Sequence, residues 1–371
     1  MRFIHTADWQ IGKSFKQFGD KEGVVRQARL NVIEAIGRLA VSEGAADVLV
    51  AGDIYDSEAP GARTLREPLE RMRQFPGINW RLLPGNHDPH QPKGVWDRVR
   101  ETGLPDNVYL HLTPEPAILG TDAALLPAPL TRKSETSDLT EWMDAAETPP
   151  GRIRIGLAHG AIRGFDQSGE ANNPVDPRRP ILARLDYLAL GDWHRTMSVG
   201  PAAWYAGTPE PDRAGGGQEE GHVLLVDVAG PGAEPKVEPR KVGAFRWLTM
   251  EEELSDASDL ADLEIRLRNL FNLSSLVLRL RFRGALPLSA RAELDRRLES
   301  LAASMFHLDV DLVGLSARPT LADFEAIDFG GVLRQAAERL KAMTNDAALA
   351  PAERLRAEDA LVKLYLMQVG A

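Results

Sequence analysis

Residues 47–56 read Asp47-Val48-Leu49-Val50-Ala51-Gly52-Asp53-Ile54-Tyr55-Asp56. An unbroken aliphatic run with no polar alternation predicts a short strand buried on both faces, as in a parallel sheet. The Gly-Asp that follows ends the strand and leaves carboxylates at its carboxyl end. The same design recurs on either side. Phe3–Thr6 runs into Ala7-Asp8, and Asn79–Leu83 into Pro84-Gly85-Asn86-His87-Asp88. Ile153–Leu157 runs into Ala158-His159-Gly160, and Tyr187–Leu190 into Gly191-Asp192-Trp193-His194. Between the first strands, Glu22 to about Glu43 carries Val25, Ala28, Val32, Ile36 and Leu39 at helical spacing, and a second helix is expected near Ala62–Gln74. Strands alternating with helices predict an α/β sheet. Polar residues at the carboxyl ends of five strands mark the place where open α/β sheets bind their ligands.

The rest of the chain divides by composition. Residues 131–150 and 166–180 are polar with Pro and Gly and read as surface loops, and Gly/Pro-rich breaks at 208–221 and 229–239 flank a strand, Val223–Val228. After about Phe245 a small α+β unit is expected: an acidic helical stretch (Glu251–Leu270), an alternating strand (Leu276–Arg283), a helix (Ser289–Ala303) and a strand (His307–Val313). From Leu321 two helices follow. One carries Val332, Leu333, Ala336, Ala337 and Leu340, the other Leu355, Leu361, Val362, Tyr365 and Leu366.

A chain of 371 residues predicts two or three units. No run approaches the roughly 18 apolar residues of a membrane span, and MRFIHTADW lacks the layout of a signal peptide, so a cytoplasmic protein without membrane partners is expected. The absence of cysteine excludes disulfides, thiolate metal sites, iron–sulfur clusters and cysteine nucleophiles. A net charge of −10 argues against nucleic acid at first sight. Residues 1–100, however, hold 15 Lys and Arg against 13 Asp and Glu, and residues 151–200 hold 7 against 5. Residues 101–150, which carry none of the strand-end clusters, hold 2 against 9. The segments with the clusters are slightly basic, which removes the objection to DNA.

Carboxylate, amide and imidazole without thiolate suit divalent manganese, magnesium or iron. The donor count allows two ions sharing a bridging carboxylate, which about 3.5–4 Å apart clamp both oxygens of a phosphoryl displacement. Glycines before Asp53, Asn86 and Asp192 are expected to let the chain turn sharply after each strand.

The ordered series resembles the calcineurin-like metallophosphoesterase superfamily, whose motifs run DxH, GDxxD, GNHD/E, a lone His, then GHxH. Within it, HTADWQIG, AGDIYD, PGNHD, AHG and WYAGTPE resemble the SbcD-like DNA-repair exonucleases, nuclease subunits that work with an SMC-like ABC ATPase. The resemblance implies a four-layer α/β sandwich over residues 1–243, a small α+β capping domain over 244–316, and a helical tail over 317–371 as the candidate ATPase-binding segment. It implies that Asp8 and His194 hold a first metal, that Asp53 bridges, and that Asn86 and His159 hold a second. His87 would sit beside the scissile phosphate, stabilising charge or protonating the leaving oxygen, while water acidified by the metals attacks. Gln10 stands where the family has a metal-binding His, and Asp192 where it has the first His of GHxH. Both offer oxygen, which shifts preference from zinc towards Mn2+ or Mg2+. The expected function is a manganese-dependent DNA nuclease, acting as a homodimer bound to an SMC-like ATPase. The alternatives are a phosphodiesterase or phosphatase on nucleotides or small phosphoesters, and a catalytically weakened scaffold for the ATPase.

Other residues have plainer readings. Asp56 and Asp88 cap a helix or orient a ligand from behind. His5 reads as a hydrogen-bonded core residue, and Trp9 and Trp193 as packing over the metal cluster rather than base stacking. Arg279, Arg281 and Arg283 alternate with Leu278, Leu280 and Phe282, which favours the solvent face of a half-buried strand over a ridge that contacts phosphate. The apolar stripes of the terminal helices pack on the protein itself or await the ATPase partner.

Overall fold

The computed structural model describes residues 1–164, 172–213, 218–318, 320, 323 and 331–369, the last helix without the side chains of residues 366, 368 and 369. The expected loop residues 166–171 and 214–217, the start of the tail near Leu321, and the Leu366 side chain lie outside this description. The chain divides into two compact units, Met1–Asp212 with Glu220–Phe245, and Arg213–Glu219 with Arg246–Ala371.

The first unit opens with β1 (Arg2–Thr6), α1 (Glu22–Glu43), β2 (Asp47–Val50), α2 (Ala62–Arg73), β3 (Asn79–Leu82), α3 (Val95–Glu101) and β4 (Val108–Leu110). The four strands are parallel neighbours in that order. A second sheet takes β5 (Ala117–Leu119), β6 (Ala123–Ala128) and β7 (Ile153–His159). After the short pair β8 (Ala161–Ile162) and β9 (Pro174–Val175) and the one-turn α4 (Arg179–Leu182), it adds β10 (Tyr187–Gly191), β11 (Met197–Gly200) and β12 (Ala203–Tyr205). Its order is β11-β12-β10-β7-β6-β5. β13 (Gln218–Asp227) returns antiparallel to β1.

Period-two patterning explains the layers. Ile4, Val48, Val50, Trp80 and Leu82 face Ile33, Ile36, Leu65 and Met72 of α1 and α2. The intervening Phe3, Leu49, Ala51 and Leu83 meet Leu125, Ile155, Leu157 and Tyr187 of the second sheet. Leu126, Leu188 and Leu190 on that sheet's far side pack on Met143 and Ala183. The expected loop 131–150 therefore contributes a layer, because its 3-10 turn Glu141–Asp144 buries Met143. Each fully buried aliphatic side chain is worth about 1.5–3 kcal/mol. The order helices, sheet, sheet, thin helical cover is the four-layer sandwich.

In the second unit, the later half of β14 (Lys236–Leu254), β15 (Leu276–Leu286) and β16 (His307–Ala317) form parallel pairs, joined by α5 (Ala257–Arg268) and α6 (Leu288–Ala302). Both helices cover one face, where Leu278, Leu280 and Phe282 pack on Leu260, Leu263, Leu294 and Leu298. The expectation of a helix from Glu251 is corrected. Thr249–Leu254 pair with Arg279–Gly284 as strand, and α5 starts only at Ala257, where Asp256 and Asp259 form a reciprocal capping box. Two further helices, Val332–Thr344 and Pro351–Val369, form the tail. Ala337, Leu361 and Val362 pack on Leu288 and Ala292 of α6, whereas Val332 is 81% exposed. Part of each apolar stripe is thus consumed within the chain. Among the described residues no helix is long and apolar enough to cross a membrane.

Candidate metal centre

Five strands deliver the site: β1 carries Asp8 and Gln10, β2 Asp53 and Asp56, β3 Asn86 to Asp88, β7 His159, and β10 Asp192 and His194. The first two strands continue past their ends as bonded backbone. Asp8 N donates to Gly52 O at 3.1 Å, Gln10 N to Asp53 O at 2.8 Å, and Ile11 N to Ile54 O at 2.8 Å. That register holds Asp8 (φ 55°), Gln10 (φ 45°) and Asp53 (φ 55°) in the left-handed region, joined by Asp192 (φ 100°). Such non-glycine conformations cost on the order of 1–3 kcal/mol each and cluster at functional sites. The expectation that three glycines turn the chain needs revision. Gly52 does turn, at φ 90°. Gly85 and Gly191 instead leave room: a Cβ would lie 2.2 Å from Asp53 Oδ1 at the first and 1.9 Å from Ala51 O at the second.

Asp8, Asp53 and His159 are buried, with one ligand atom from each lying within 4.8 Å of the others. His159 Nδ1 is 2.8 Å from the Ala51 carbonyl, so it donates there and turns Nε2 into the site. Nε2 faces Asn86 Oδ1 at 2.8 Å, Asp53 Oδ1 at 3.6 Å and Asp192 Oδ1 at 3.7 Å. Burial alone would lower its pKa, yet the carboxylates of Asp53, Asp8 and Asp192 hold it up to about 9. Burial pushes Asp8 up to about 6 against the pull of His194 and His159, and raises Asp192 likewise. Nε2 can take a proton or a metal ion among these oxygens, and the donor set of carboxylates, amide oxygen and imidazole fits a hard or borderline divalent cation.

The opposite side is wired differently. His194 Nδ1 lies 3.2 Å from Asp212 Oδ1, which orients the other ring nitrogen towards Gln10. Asp212 also accepts from Lys13 Nζ at 2.5 Å and pairs with Arg29 at 3.8 Å. His194, Arg29 and Lys13 hold its pKa well below the usual range although burial opposes them. Arg29 in turn donates to the carbonyls of Trp9 (2.6 Å) and Glu210 (2.9 Å). The Gln10 amide oxygen is occupied by Lys13 Nζ at 2.6 Å, and its nitrogen lies 3.4 Å from His194 Nε2. The Thr208 hydroxyl reaches the Asp8 carbonyl at 3.0 Å. The sequence alone assigns no role to Lys13, Arg29, Thr208, Glu210 and Asp212. Two signals point at some of them: Arg29 falls among Val25, Ala28, Val32 and Ile36 on the apolar face of α1, and Thr208 and Glu210 lie in the WYAGTPE stretch.

His87 is the half-open member, its side chain 34% exposed. Its backbone N donates to Asp53 Oδ1 at 2.9 Å, and ring Nδ1 lies 3.0 Å from the Asp56 carbonyl. Asp56 thus positions His87 through its backbone, with its carboxylate 3.7 Å from the ring. Asp88 accepts from Tyr55 N (2.9 Å) and Gly85 N (2.7 Å), clamping two site loops from behind. Burial, then the Asp53 charge, raises its pKa well above the usual range. His5 lies in the core 2.9 Å from the Tyr187 hydroxyl, Trp9 packs edge-on against Trp80, and Trp193 packs against the second-sheet cluster. Arg279, Arg281 and Arg283 belong to the second unit, where they pair with Asp309 and Glu251 at 2.9–3.4 Å.

Comparison with known proteins agrees with this geometry. The chain is 28% identical over 291 residues to the SbcD component of the nuclease SbcCD of Rhodobacter capsulatus, covering 64% of this chain and 68% of that one. It is 24% identical over 332 residues to the Bacillus subtilis protein of the same name, covering 74% and 82%. It is 24% identical to the DNA double-strand break repair protein Mre11 of Methanosarcina acetivorans, covering 63% of this chain and 38% of that one. The calcineurin-like phosphoesterase family pattern matches residues 1–214, the stretch that contains every candidate ligand. The chain belongs to the calcineurin-like phosphoesterase family.

Proposed function

We propose that this phosphoesterase is a metal-dependent DNA nuclease that hydrolyses phosphodiester bonds during DNA-end processing, with two divalent ions, Mn2+ before Mg2+. One observation carries the reading: the buried Asp8, Asp53 and His159 converge, with Asn86 and Asp192 at 2.8 and 3.7 Å from His159 Nε2 and His87 half-open beside Asp53. Relatives named as components of a nuclease supply the substrate class. On the motif resemblance we further propose DNA and an SMC-like ATPase as partners, a homodimer as the active form, residues 244–316 as a cap and residues 317–371 as the ATPase-binding tail.

Bound divalent ions supply positive charge to the phosphate oxygens and acidify the attacking water. The chain's own groups do the rest. Asp53, 3.6 Å from His159 Nε2, fixes the His87 loop by accepting from the His87 N–H. With Nδ1 donating to the Asp56 carbonyl, His87 turns Nε2 into the site, 3.9 Å from Asp53 Oδ2, where a proton can be delivered to the leaving oxygen. Asp212 keeps His194 in the tautomer that turns Nε2 inward.

The test is cleavage of single- and double-stranded oligonucleotides with Mn2+, with chelator and with His87→Ala. Metal-dependent cleavage lost in the variant supports the reading, and cleavage that survives it overturns the reading. A scaffold role has its own observation, since the Gln10 oxygen is held by Lys13. It predicts DNA binding without cleavage under every metal.

A further inference from the structure

Beside the metal centre, on the α1–α2 side of the first sheet, lies a cavity of about 230 Å3. Its walls carry Lys13, Arg26, Arg29 and Arg63 against one carboxylate, Glu67. With Asp212 counted from behind Lys13 and Arg29, and Glu22 from beside Arg26, one positive charge remains in excess. Such a concave surface selects an anion. Two of the cations are positioned in advance, Lys13 by Asp212 and Gln10 and Arg29 by the Trp9 and Glu210 carbonyls, while Arg63 pairs with Glu67 at 2.6 Å on the exposed rim. Part of the lining is backbone at Gly12 and Gly23. At Gly12, φ is +100° and a Cβ would stand 3.0 Å from Thr64 Cγ2, so a side chain there is disfavoured and the space stays open. The cavity also connects to the site. Lys13 holds the Gln10 amide, which touches His194.

We propose that this cavity is a phosphate-binding site that takes a phosphate ester of the nucleic-acid strand whose neighbouring phosphodiester lies at the metal centre. The inference rests on the nuclease reading and extends it to substrate positioning. Planar guanidinium forks match phosphate oxygens in pairs, so arginine rather than lysine dominates the lining. A phosphate seated here fixes the register of the strand while carrying no base preference. The same chemistry is offered by an internal diester and by a terminal monoester, and the two are separable by experiment.

The experiment compares wild type with Arg26→Ala/Arg63→Ala and Arg26→Lys/Arg63→Lys, using anisotropy of a fluorescein-labelled single-stranded oligonucleotide across a KCl series. Thermal melts establish that each variant is folded. The double alanine variant is expected to bind about 10-fold more weakly, with the slope of log affinity against log salt reduced by about 1, and the double lysine variant to keep the wild-type slope. Deoxyadenosine monophosphate that displaces the oligonucleotide from wild type assigns a terminal monoester, and failure to displace it assigns an internal diester. Where wild type binds DNA, unchanged affinity and slope in the double alanine variant overturn the cavity proposal alone, as does an equal loss in the alanine and lysine variants. A wild type that binds no oligonucleotide at all overturns the nuclease reading and the cavity proposal with it.

Discussion

Both units carry charged side chains on neighbouring strands, with opposite results. At the strand ends of the first unit, Asp8 and Asp53 are buried at 0% and 2% exposure, and they converge with His159. Along β15 of the second unit, Arg279, Arg281 and Arg283 are 42–70% exposed and pair with Glu251 and Asp309 across the sheet. The first cluster is dry and unbalanced, so its electrostatics demand an added cation. The second is wet and each of its arginines already has a carboxylate beside it, so it demands nothing. Burial and imbalance together, rather than the number of charges, separate a site from a surface.

The widest test of this contrast is His159→Ala. It removes the one imidazole that faces three oxygen ligands, and the remaining carboxylates lose a donor at their centre. Metal affinity should fall by roughly 100-fold or more, since even partners one shell out cost 10–100-fold, and cleavage should drop to background. Calorimetric Mn2+ titration with undiminished affinity would sink the assignment of this cluster as a metal centre. His87→Ala should separate the roles within the site. Cleavage falls by about 10²–10⁴-fold, the usual range for a proton donor, while Mn2+ affinity holds. A parallel loss of metal binding would make His87 a ligand instead.

A third variant probes the buried network. Asp212→Ala leaves Arg29 and Lys13 without their shared carboxylate and His194 without its acceptor. Breaking a buried ion pair by removing one partner costs about 3–5 kcal/mol, and here the loss should appear in urea unfolding together with about 10-fold weaker Mn2+ binding. Unchanged unfolding would mean that solvent already compensates these charges.

These variants also mark how far the sequence could be read. Asp8, Asp53, Asn86, His87, His159 and His194 each follow an apolar run, and a strand end is a local pattern. Asp212 and Lys13 follow no such run, and their partners lie up to 199 residues away. Only the folded chain shows that they meet. Arg29 was visible as a charge on an apolar stripe, but the carbonyls it serves, at Trp9 and Glu210, were not. The start of α5 failed for a related reason. The glutamates at 251–253 suit a helix locally, and their pairing with β15, some 30 residues on, keeps them in a strand.

Glu210 gives a smaller effect with a definite sign. Burial raises its pKa to about 7 even though it accepts from Ala244 N and Phe245 N. The folded state therefore binds the proton more tightly than the unfolded chain. Stability from this group is fully present below pH about 4.5 and declines as pH rises through about 7, by roughly 3 kcal/mol. Glu210→Gln should flatten that slope in unfolding curves at pH 5 and pH 8. Other buried carboxylates slope the same way, so the difference between variant and wild type is the quantity to read. Equal slopes would place the Glu210 carboxylate in contact with water.

The smallest effect is expected where the charges are most numerous. Arg281→Ala breaks an ion pair to Glu251 at 3.4 Å whose two partners are each nearly half exposed. Exposed pairs contribute about 0.2–1 kcal/mol, and high salt screens most of that. Melts of wild type and variant should therefore differ little in dilute buffer and coincide at 1 M KCl. Removing Arg279, Arg281 and Arg283 together sharpens the contrast further. A face whose arginines stay paired leaves oligonucleotide affinity and its salt slope at the wild-type values. If the slope instead falls by about 1 or more, DNA has displaced Glu251 and Asp309 as the arginines' partners. Pairing within the free protein would then be no guide to what a surface binds, and burial alone would be left to distinguish the two regions.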